Sequence, residues 1–309
     1  MRIYILSRNE NLYSTKRLVQ EAMAKGWEVK VIDYLKCTIE IMKGELLVNY
    51  EGKLLPIPDA IIPRIGASKT FYGAAMVRHF EMQDVFSTTG NLALTRSRDK
   101  LRSLQVLSKN DVDLPRTVFA SNKSNAKDVI ALSGGAPLVL KILEGTQGVG
   151  VVLVDSKKAA KSVLDAFYGM DVNLLVQEYI EEANGTDIRA FIVDNEVVGA
   201  MKRQGAEGDF RSNLHQGGSA VAYKLSRKEK ATAIAAARAM GLGVCGVDMI
   251  PSKRGPLVME VNSSPGLEGI EKSTNINIAQ KIMDYIEKNI KPKSSNTHKR
   301  KIKKDNIGA

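Results

Sequence analysis

The chain has 309 residues, with 45 Lys and Arg against 34 Asp and Glu, two Cys and 44% hydrophobic residues. That length suggests about two domains, or two to three if one is small, and a 44% hydrophobic, 26% charged composition excludes disordered, collagen-like and membrane-embedded classes. No apolar run approaches the roughly 18 residues of a membrane span, and M-R-I-Y-I-L-S-R-N-E meets charge too early for a signal peptide. Cys37 and Cys245 show no metal or disulfide spacing, so a reducing, cytoplasmic setting is expected.

The net charge of +11 is unevenly placed. Residues 291–309 hold seven Lys/Arg and one Asp, a local +6, which leaves 38 basic against 33 acidic residues, or +5, for residues 1–290. Half of the basicity therefore belongs to a polar tail, expected to be disordered, and the folded part is only mildly basic.

In chain order, residues 1–95 read as a small α/β unit. Arg2 to Leu6 suits a buried strand. Residues 15–25 place Leu18, Val19, Ala22 and Met23 on one helical stripe that Gly26 ends. Trp27, Val29 and Val31 alternate as a strand, and the run Ala60–Ile65 contains Pro63, which puts it near a strand end or edge. Strand, helix, strand predicts an open, largely parallel sheet. A helix is expected near 98–109 and a strand from the Leu-Pro pair at 114–115 through Phe119. Two apolar runs, 137–143 and 149–154, separated only by E-G-T-Q-G, make a hairpin. A helix near 157–168 follows, then strands near 173–180, 188–194 and 196–202, the last two joined at Asp194-Asn195. An Ala-rich helix occupies 227–240. Strands 245–250 and 256–262 flank the turn P-S-K-R-G, and a last helix spans about 275–290. The larger part is thus α+β, with antiparallel hairpins interleaved with helices.

Chemistry concentrates in a few segments. In C-G-V-D-M-I and V-M-E-V-N, Glu260 and Asn262 lie two apart and share a strand face. A hairpin symmetric about Arg254 sets Asp248 directly across from Glu260. Two opposed carboxylates in an apolar setting need a cation between them, and two carboxylates with an amide oxygen are hard ligands suited to Mg²⁺ held with nucleotide phosphates. The loop E-G-T-Q-G-V-G, with Gly145, Gly148 and Gly150, can fold backbone N–H groups over an anion. Lys141, inside P-L-V-L-K-I-L, must face solvent or meet an anion, and Lys100 is a second candidate phosphate contact. Arg203 and Arg211 flank a Gly-rich loop that continues to H-Q-G-G at 215–218 and could close over a substrate. G-L-G-V-C-G at 241–246 matches a dinucleotide fingerprint, yet it follows a helix and leads into a strand, the reverse of the required order, and so reads as a helix stop. Nucleophilic catalysis has no motif behind it.

These segments together resemble the ATP-grasp carboxylate–amine ligases, and specifically the RimK family, whose members attach glutamate to the C-terminus of small-subunit ribosomal protein six. The resemblance rests on K-I-L-E-G-T-Q-G-V-G-V from 141, Q-E-Y-I-E-E-A-N-G-T-D-I-R from 177, M-K-R from 201, R-S-N-L-H-Q-G-G from 211, G-V-D-M from 246 and M-E-V-N-S-S-P-G-L from 259. It implies an ATP-grasp fold, two α+β subdomains clasping ATP behind a small α/β N-terminal domain. The expected boundaries are 1–95, 96–176, 177–290 with the metal site, and a 291–309 tail. It further implies that Lys100 and Lys141 contact ATP phosphates beneath the loop Gly145–Gly150, and that Glu178, Tyr179 and Ile180 lie at the adenine, with Asp187 on the ribose. Arg211, Ser212 and Asn213 would help hold the phosphates. Asp248, Glu260 and Asn262 would bind Mg²⁺ or Mn²⁺, two ions in all, and Arg189 and Arg203 would clamp the substrate carboxylate or acylphosphate.

The implied reaction is phosphorylation of a carboxylate by ATP, then attack by the amine of L-glutamate, releasing ADP and phosphate. Its acceptor would be the acidic C-terminal tail of the ribosomal protein, with a homo-oligomeric enzyme and a ribosome contact through the basic tail. Related ligases acting on a carrier protein, a pterin coenzyme or a free peptide share these motifs. A protein that senses ATP while binding the ribosome or RNA would need an aromatic-rich surface, and the chain is only 6% aromatic.

Overall fold

A computed structural model describes residues 1–121, 124–143, 150–206, 210, 212 and 217–290. The chain opens with β1 (Arg2–Leu6), α1 (Tyr13–Ala24) and β2 (Glu28–Ile32). A three-stranded antiparallel sheet follows, formed by β3 (Cys37–Met42), β4 (Glu45–Tyr50) and β5 (Lys53–Leu54). The sequence reading assigned no element to this insertion. The chain then returns as β6 (Ala60–Pro63), α2 (Thr70–Glu81) and β7 (Phe86–Ser87). As the strand–helix–strand order predicted, this first sheet is parallel, in the order β2-β1-β6-β7, and Pro63 ends its strand. Residues 3–6 of β1 are all at most 2% exposed because both faces are covered. Ile3 and Ile5 pack with Leu18 and Ala22 of α1, while Tyr4 and Leu6 pack with Met76, Val77 and Phe80 of α2.

The helix expected near 98–109 is α4 (Lys100–Lys109), and a further helix, α3 (Asn91–Arg98), precedes it where the sequence reading assigned no element. Asp99 separates them in extended backbone, its side chain capping α4 by accepting from Arg102 N at 2.9 Å. The second sheet comprises β8 (Thr117–Ala120), β9 (Leu138–Ile142), β10 (Val151–Val154) and β11 (Leu174–Glu178), with α5 (Ala126–Leu132) and α6 (Lys157–Gly169) packed on it. It is antiparallel in the order β10-β9-β11-β8, and β9–β10 is the expected hairpin, Val151 opposite Lys141.

The third sheet is antiparallel, in the order β14-β13-β12-β15-β16. It is built from β12 (Thr186–Val193), β13 (Glu196–Gln204), β14 (Ser219–Ala222), β15 (Val244–Ile250) and β16 (Leu257–Asn262). Asp194 and Asn195 turn β12 into β13 with φ of 53° and 63°, a left-handed pair that Asp and Asn tolerate. α7 (Arg227–Met240) starts in a capping box of Ser226 and Glu229 and stops at Gly241, φ +69°, which confirms the G-L-G-V-C-G segment as a helix stop leading into β15. Its Ala233, Ala236, Ala237 and Met240 cover one face of the sheet. α8 (Glu268–Thr274) and α9 (Ile278–Asn289) cover the other, and α9 shares its core with α1 and β1, so the last helix ties the third sheet to the first. Residues 291–309, with the expected disordered tail, lie outside the described residues.

Candidate active site

A cavity of about 750 Å³ lies between the second and third sheets, closed on a further side by the first turn of α1 and by Arg64. The β15–β16 hairpin forms its floor. Asp248 pairs with Glu260 and Gly246 with Asn262, the registration expected from symmetry about Arg254. Nearer the turn the register shifts by one, Met249 opposite Val258 and Ile250 opposite Leu257, so Met259 is the extra residue of a β-bulge. The bulge turns both Met259 and Glu260 into the cavity while Val258 and Val261 stay in the core. The sequence carries the trace of this: two core valines three apart break the period of two.

Asp248 is 3% exposed and both its oxygens are engaged. Arg189 donates Nε to Oδ1 at 2.6 Å and Nη2 to Oδ2 at 2.5 Å, and Arg203 donates Nη2 to Oδ2 at 2.9 Å. Arg203 also grips Asp187 through Nε, 2.6 Å from Oδ1, and through Nη2. Two guanidiniums thus meet Asp248, and neither pairs with the opposed Glu260 among the described residues. Burial opposes the Asp248 charge, but Arg189 and then Arg203 outweigh it and hold the carboxyl far below its usual range. Asp187, with one guanidinium and Asp248 beside it, is pushed up by burial.

Glu260 has no hydrogen bond or ion pair among the described residues. Its side chain opens into the cavity, yet protein surrounds it closely enough that desolvation, and next the Asp248 charge, raise its pKa. A carboxylate destabilised in this way is one that a dication would relieve. Asn262 uses its Oδ1 to accept from Ser264 N at 2.9 Å, and Asp248 Oδ1 retains a second lone pair. Glu260, Asn262 and one position on Asp248 therefore fit a hard cation, although among the described residues no three His, Cys, Asp or Glu form a metal cluster.

Opposite the floor, Lys141 on β9 reaches into the cavity and donates Nζ to Gln177 Oε1 at 2.7 Å. Gln177 is held in turn by Thr117 Oγ1 at 2.8 Å. Burial lowers Lys141 to about 8 against the pull of Glu260. Lys100, at the start of α4, donates to the Leu143 carbonyl at 2.7 Å, and burial lowers it too. Gly150 opens β10 with φ +75°, and a Cβ there would lie 2.2 Å from the Ile142 side chain, so the hairpin needs glycine at this point. Gly145, Gly148, Arg211 and Asn213 lie outside the described residues; Ser212 lines the cavity.

Glu178 ends β11, and Tyr179 and Ile180 follow it along the cavity wall with apolar neighbours Val139, Ile250 and Met259. Glu178 Oε1 accepts from Arg116 N at 2.6 Å and from the Arg254 guanidinium, and the Tyr179 ring meets Phe210 edge-on at 6.3 Å. Lys141, Ser212, Asp187, Arg189, Arg203 and the hairpin acids are thus gathered around one space, whereas Lys100 and Gly150 are not among its lining residues. Arg64, Gln177, Met259 and Phe210 belong to it as well and were not singled out in the sequence. A polar residue inside L-L-V-Q-E and a charge directly after an apolar strand were the available signals.

Comparison with known proteins gives this arrangement its family. Residues 97–286 match the RimK-like ATP-grasp domain and residues 1–94 the RimK PreATP-grasp domain. The chain is 60% identical over 297 residues, 96% of its length and 99% of the relative's, to a Vibrio vulnificus protein named "Probable alpha-L-glutamate ligase". It is 59% identical, with the same coverage, to a protein of that name from Saccharophagus degradans. Among solved structures it resembles the ATP-grasp ligase PsnB complexed with minimal precursor, with a TM-score of 0.73, 18% identity and coverage of 93% of this chain and 97% of that one. It also resembles D-alanine–D-alanine ligase from Bacillus anthracis, with a TM-score of 0.66, 18% identity and coverage of 93% and 96%. The ATP-grasp fold expected from the motifs is the fold observed, and the chain belongs to the RimK family of ATP-grasp enzymes, ATP-dependent amino-acid ligases.

Proposed function

We propose that this protein is an ATP-dependent carboxylate–amine ligase that adds L-glutamate to the C-terminal carboxylate of an acidic protein tail, that of small-subunit ribosomal protein six being the acceptor the family implies. The supporting observation is that Lys141, the Arg189–Asp248–Arg203 array and Glu260 converge on one cavity large enough for a nucleotide. Lys100 and Lys141 place positive charge at the ATP phosphates, with the 145–150 loop above them and Arg211, Ser212 and Asn213 alongside. Glu178, Tyr179 and Ile180 border the adenine, and Asp187 offers the ribose the lone pairs that Arg203 leaves unused. Glu260, Asn262 and Asp248 hold two Mg²⁺ or Mn²⁺ ions, which when bound neutralise the phosphates and withdraw electron density from the transferred phosphoryl group. Arg189 and Arg203 lie beside Asp248, where a substrate carboxylate or its acylphosphate can exchange for part of the Asp248 contact.

A carboxylate is a poor acyl donor, and phosphorylation by ATP supplies a leaving group. Attack by the glutamate amine then forms the amide and releases phosphate, a step that requires water to be kept from the acylphosphate. The reading keeps residues 1–95, 96–176 and 177–290 as functional units, in a homo-oligomeric, cytoplasmic enzyme whose tail, 291–309, assists contact with the ribosome. Incubation with ATP, Mg²⁺, L-glutamate and a peptide ending in glutamate tests it. A ladder of glutamate-sized mass increments matched by ADP is expected; unmodified peptide without ADP refutes it, and a ladder on a generic acidic peptide equal to that on the ribosomal tail refutes the acceptor.

A further inference from the structure

The parallel sheet changes direction between β1 and β6: the chain leaves β1 for β2 on one side, and β6 flanks it on the other. In open parallel sheets the loops after the strand carboxyl ends diverge at such a point and leave a crevice for a ligand. Here the crevice is bounded by Arg64, directly after β6, and by residues 13–15 in the first turn of α1, and both open into the cavity that holds Glu260 and Asn262.

Arg64 is tied by its backbone N to the Leu6 carbonyl at 2.9 Å. Its guanidinium is half-buried and makes no hydrogen bond or ion pair among the described residues. The neighbouring charge is another cation, Arg98, which with burial lowers Arg64 to about 10. Glu268, also on the cavity wall, is already paired with Lys272 at 2.6 Å. A guanidinium partly withdrawn from water without a counter-charge is unfavourable, and its planar fork matches a carboxylate with two parallel hydrogen bonds. The first turn of α1 has no acidic residue and no side-chain cap, so its electropositive end does not repel an anion there.

We propose that Arg64 binds a carboxylate of the incoming L-glutamate, whose amine forms the new amide with the acceptor, and so holds that substrate in the cavity. This deepens the ligase reading and rests on it. The carboxylate is either the α- or the γ-group of L-glutamate, since both present the same chemistry to a guanidinium.

The test uses the full-length chain with Arg64→Gln and Arg64→Lys. Loss of a charge-assisted pair raises the KM for L-glutamate about 10- to 100-fold in Arg64→Gln and less in Arg64→Lys, while the KM for ATP is unchanged. Arg64→Gln melts no lower than wild type, because it removes an uncompensated charge. Wild type discriminates against L-glutamine if Arg64 holds the γ-carboxylate, and against the α-amide of glutamate if it holds the α-carboxylate, and Arg64→Gln loses that discrimination. An unchanged glutamate KM, or a KM that rises instead for ATP or for the acceptor peptide, overturns the proposal. Calorimetric titration with glutarate separates the two readings: binding by wild type and none by Arg64→Gln supports the subsite even if no glutamate ladder forms, and equal binding or none by both proteins overturns it.

Discussion

Arg189 on β12 and Asp248 on β15 are partners in the strand register, joined by two hydrogen bonds of 2.6 Å and 2.5 Å. Two residues along β12, Asp187 faces Arg203 on β13, and Arg203 reaches across to Asp248. The result is an alternation of charge, Arg189–Asp248–Arg203–Asp187, laid across three strands of the sheet. Each ion has at least one opposite neighbour, which is what allows four charges to line a cavity beside an apolar core.

Arg203, like Asp248, has two partners, and it is 8% exposed. Arg203→Ala leaves Asp187 with no counter-charge and Asp248 with one, at an expected cost of about 3–5 kcal/mol. Urea denaturation followed by circular dichroism measures it. Adding Asp187→Asn to the same chain should recover part of the loss, and strictly additive effects would show that the two side chains do not interact.

Glu260→Gln separates catalysis from stability. Its carboxylate is raised in pKa by desolvation and by Asp248, so neutralising it relieves strain in the free protein. The melting temperature is expected to stay the same or rise, while ligation falls at least about 10²-fold, the scale for losing one transition-state electrostatic group. Full activity in this variant would rule out the proposed metal-binding part of Glu260.

ATP affinity should depend on pH through Lys141. Burial lowers this lysine to about 8 in the free protein, and phosphate contact favours its charged form, so binding takes up a proton near and above pH 8. Affinity therefore weakens as pH rises through about 8, by at most roughly tenfold per pH unit for one linked proton. Calorimetry in two buffers of different ionisation enthalpy reads the uptake directly. Lys141→Arg, charged throughout this range, should bind ATP with a flat profile; an unchanged slope in that variant points to another group.

Gly150→Ala tests the proposed part of the β9–β10 hairpin in ATP binding. The new Cβ meets Ile142 in a left-handed backbone conformation, φ +75°, which costs about 1–2 kcal/mol before any clash. Ile142 or the Gly150 backbone must shift, and the KM for ATP is expected to rise with little change in the KM for glutamate. Parallel increases in both would mean that the hairpin serves the whole cavity.

Local chemistry made much of this protein legible from its sequence. Alternating and continuous apolar runs marked most of the strands, the glycine at 241 marked the end of α7, and Glu260 and Asn262 shared a face because strand side chains repeat every two residues. The expected Asp248–Glu260 pairing followed from counting residues across a short turn. The sequence was silent on β3–β5, whose short strands carry mixed polarity and are held by pairing with one another.

Tertiary structure alone decided which charges meet. Arg189 and Asp248 are 59 residues apart, and their contact depends on the order β13-β12-β15-β16, a non-local pairing that no local pattern encodes. The bulge at Met259 and the union of Arg64 with the hairpin acids across one cavity were likewise products of packing. Residue types along the chain stated what chemistry was present. Burial and strand order set which groups lost their water, and so which of them had to find a partner.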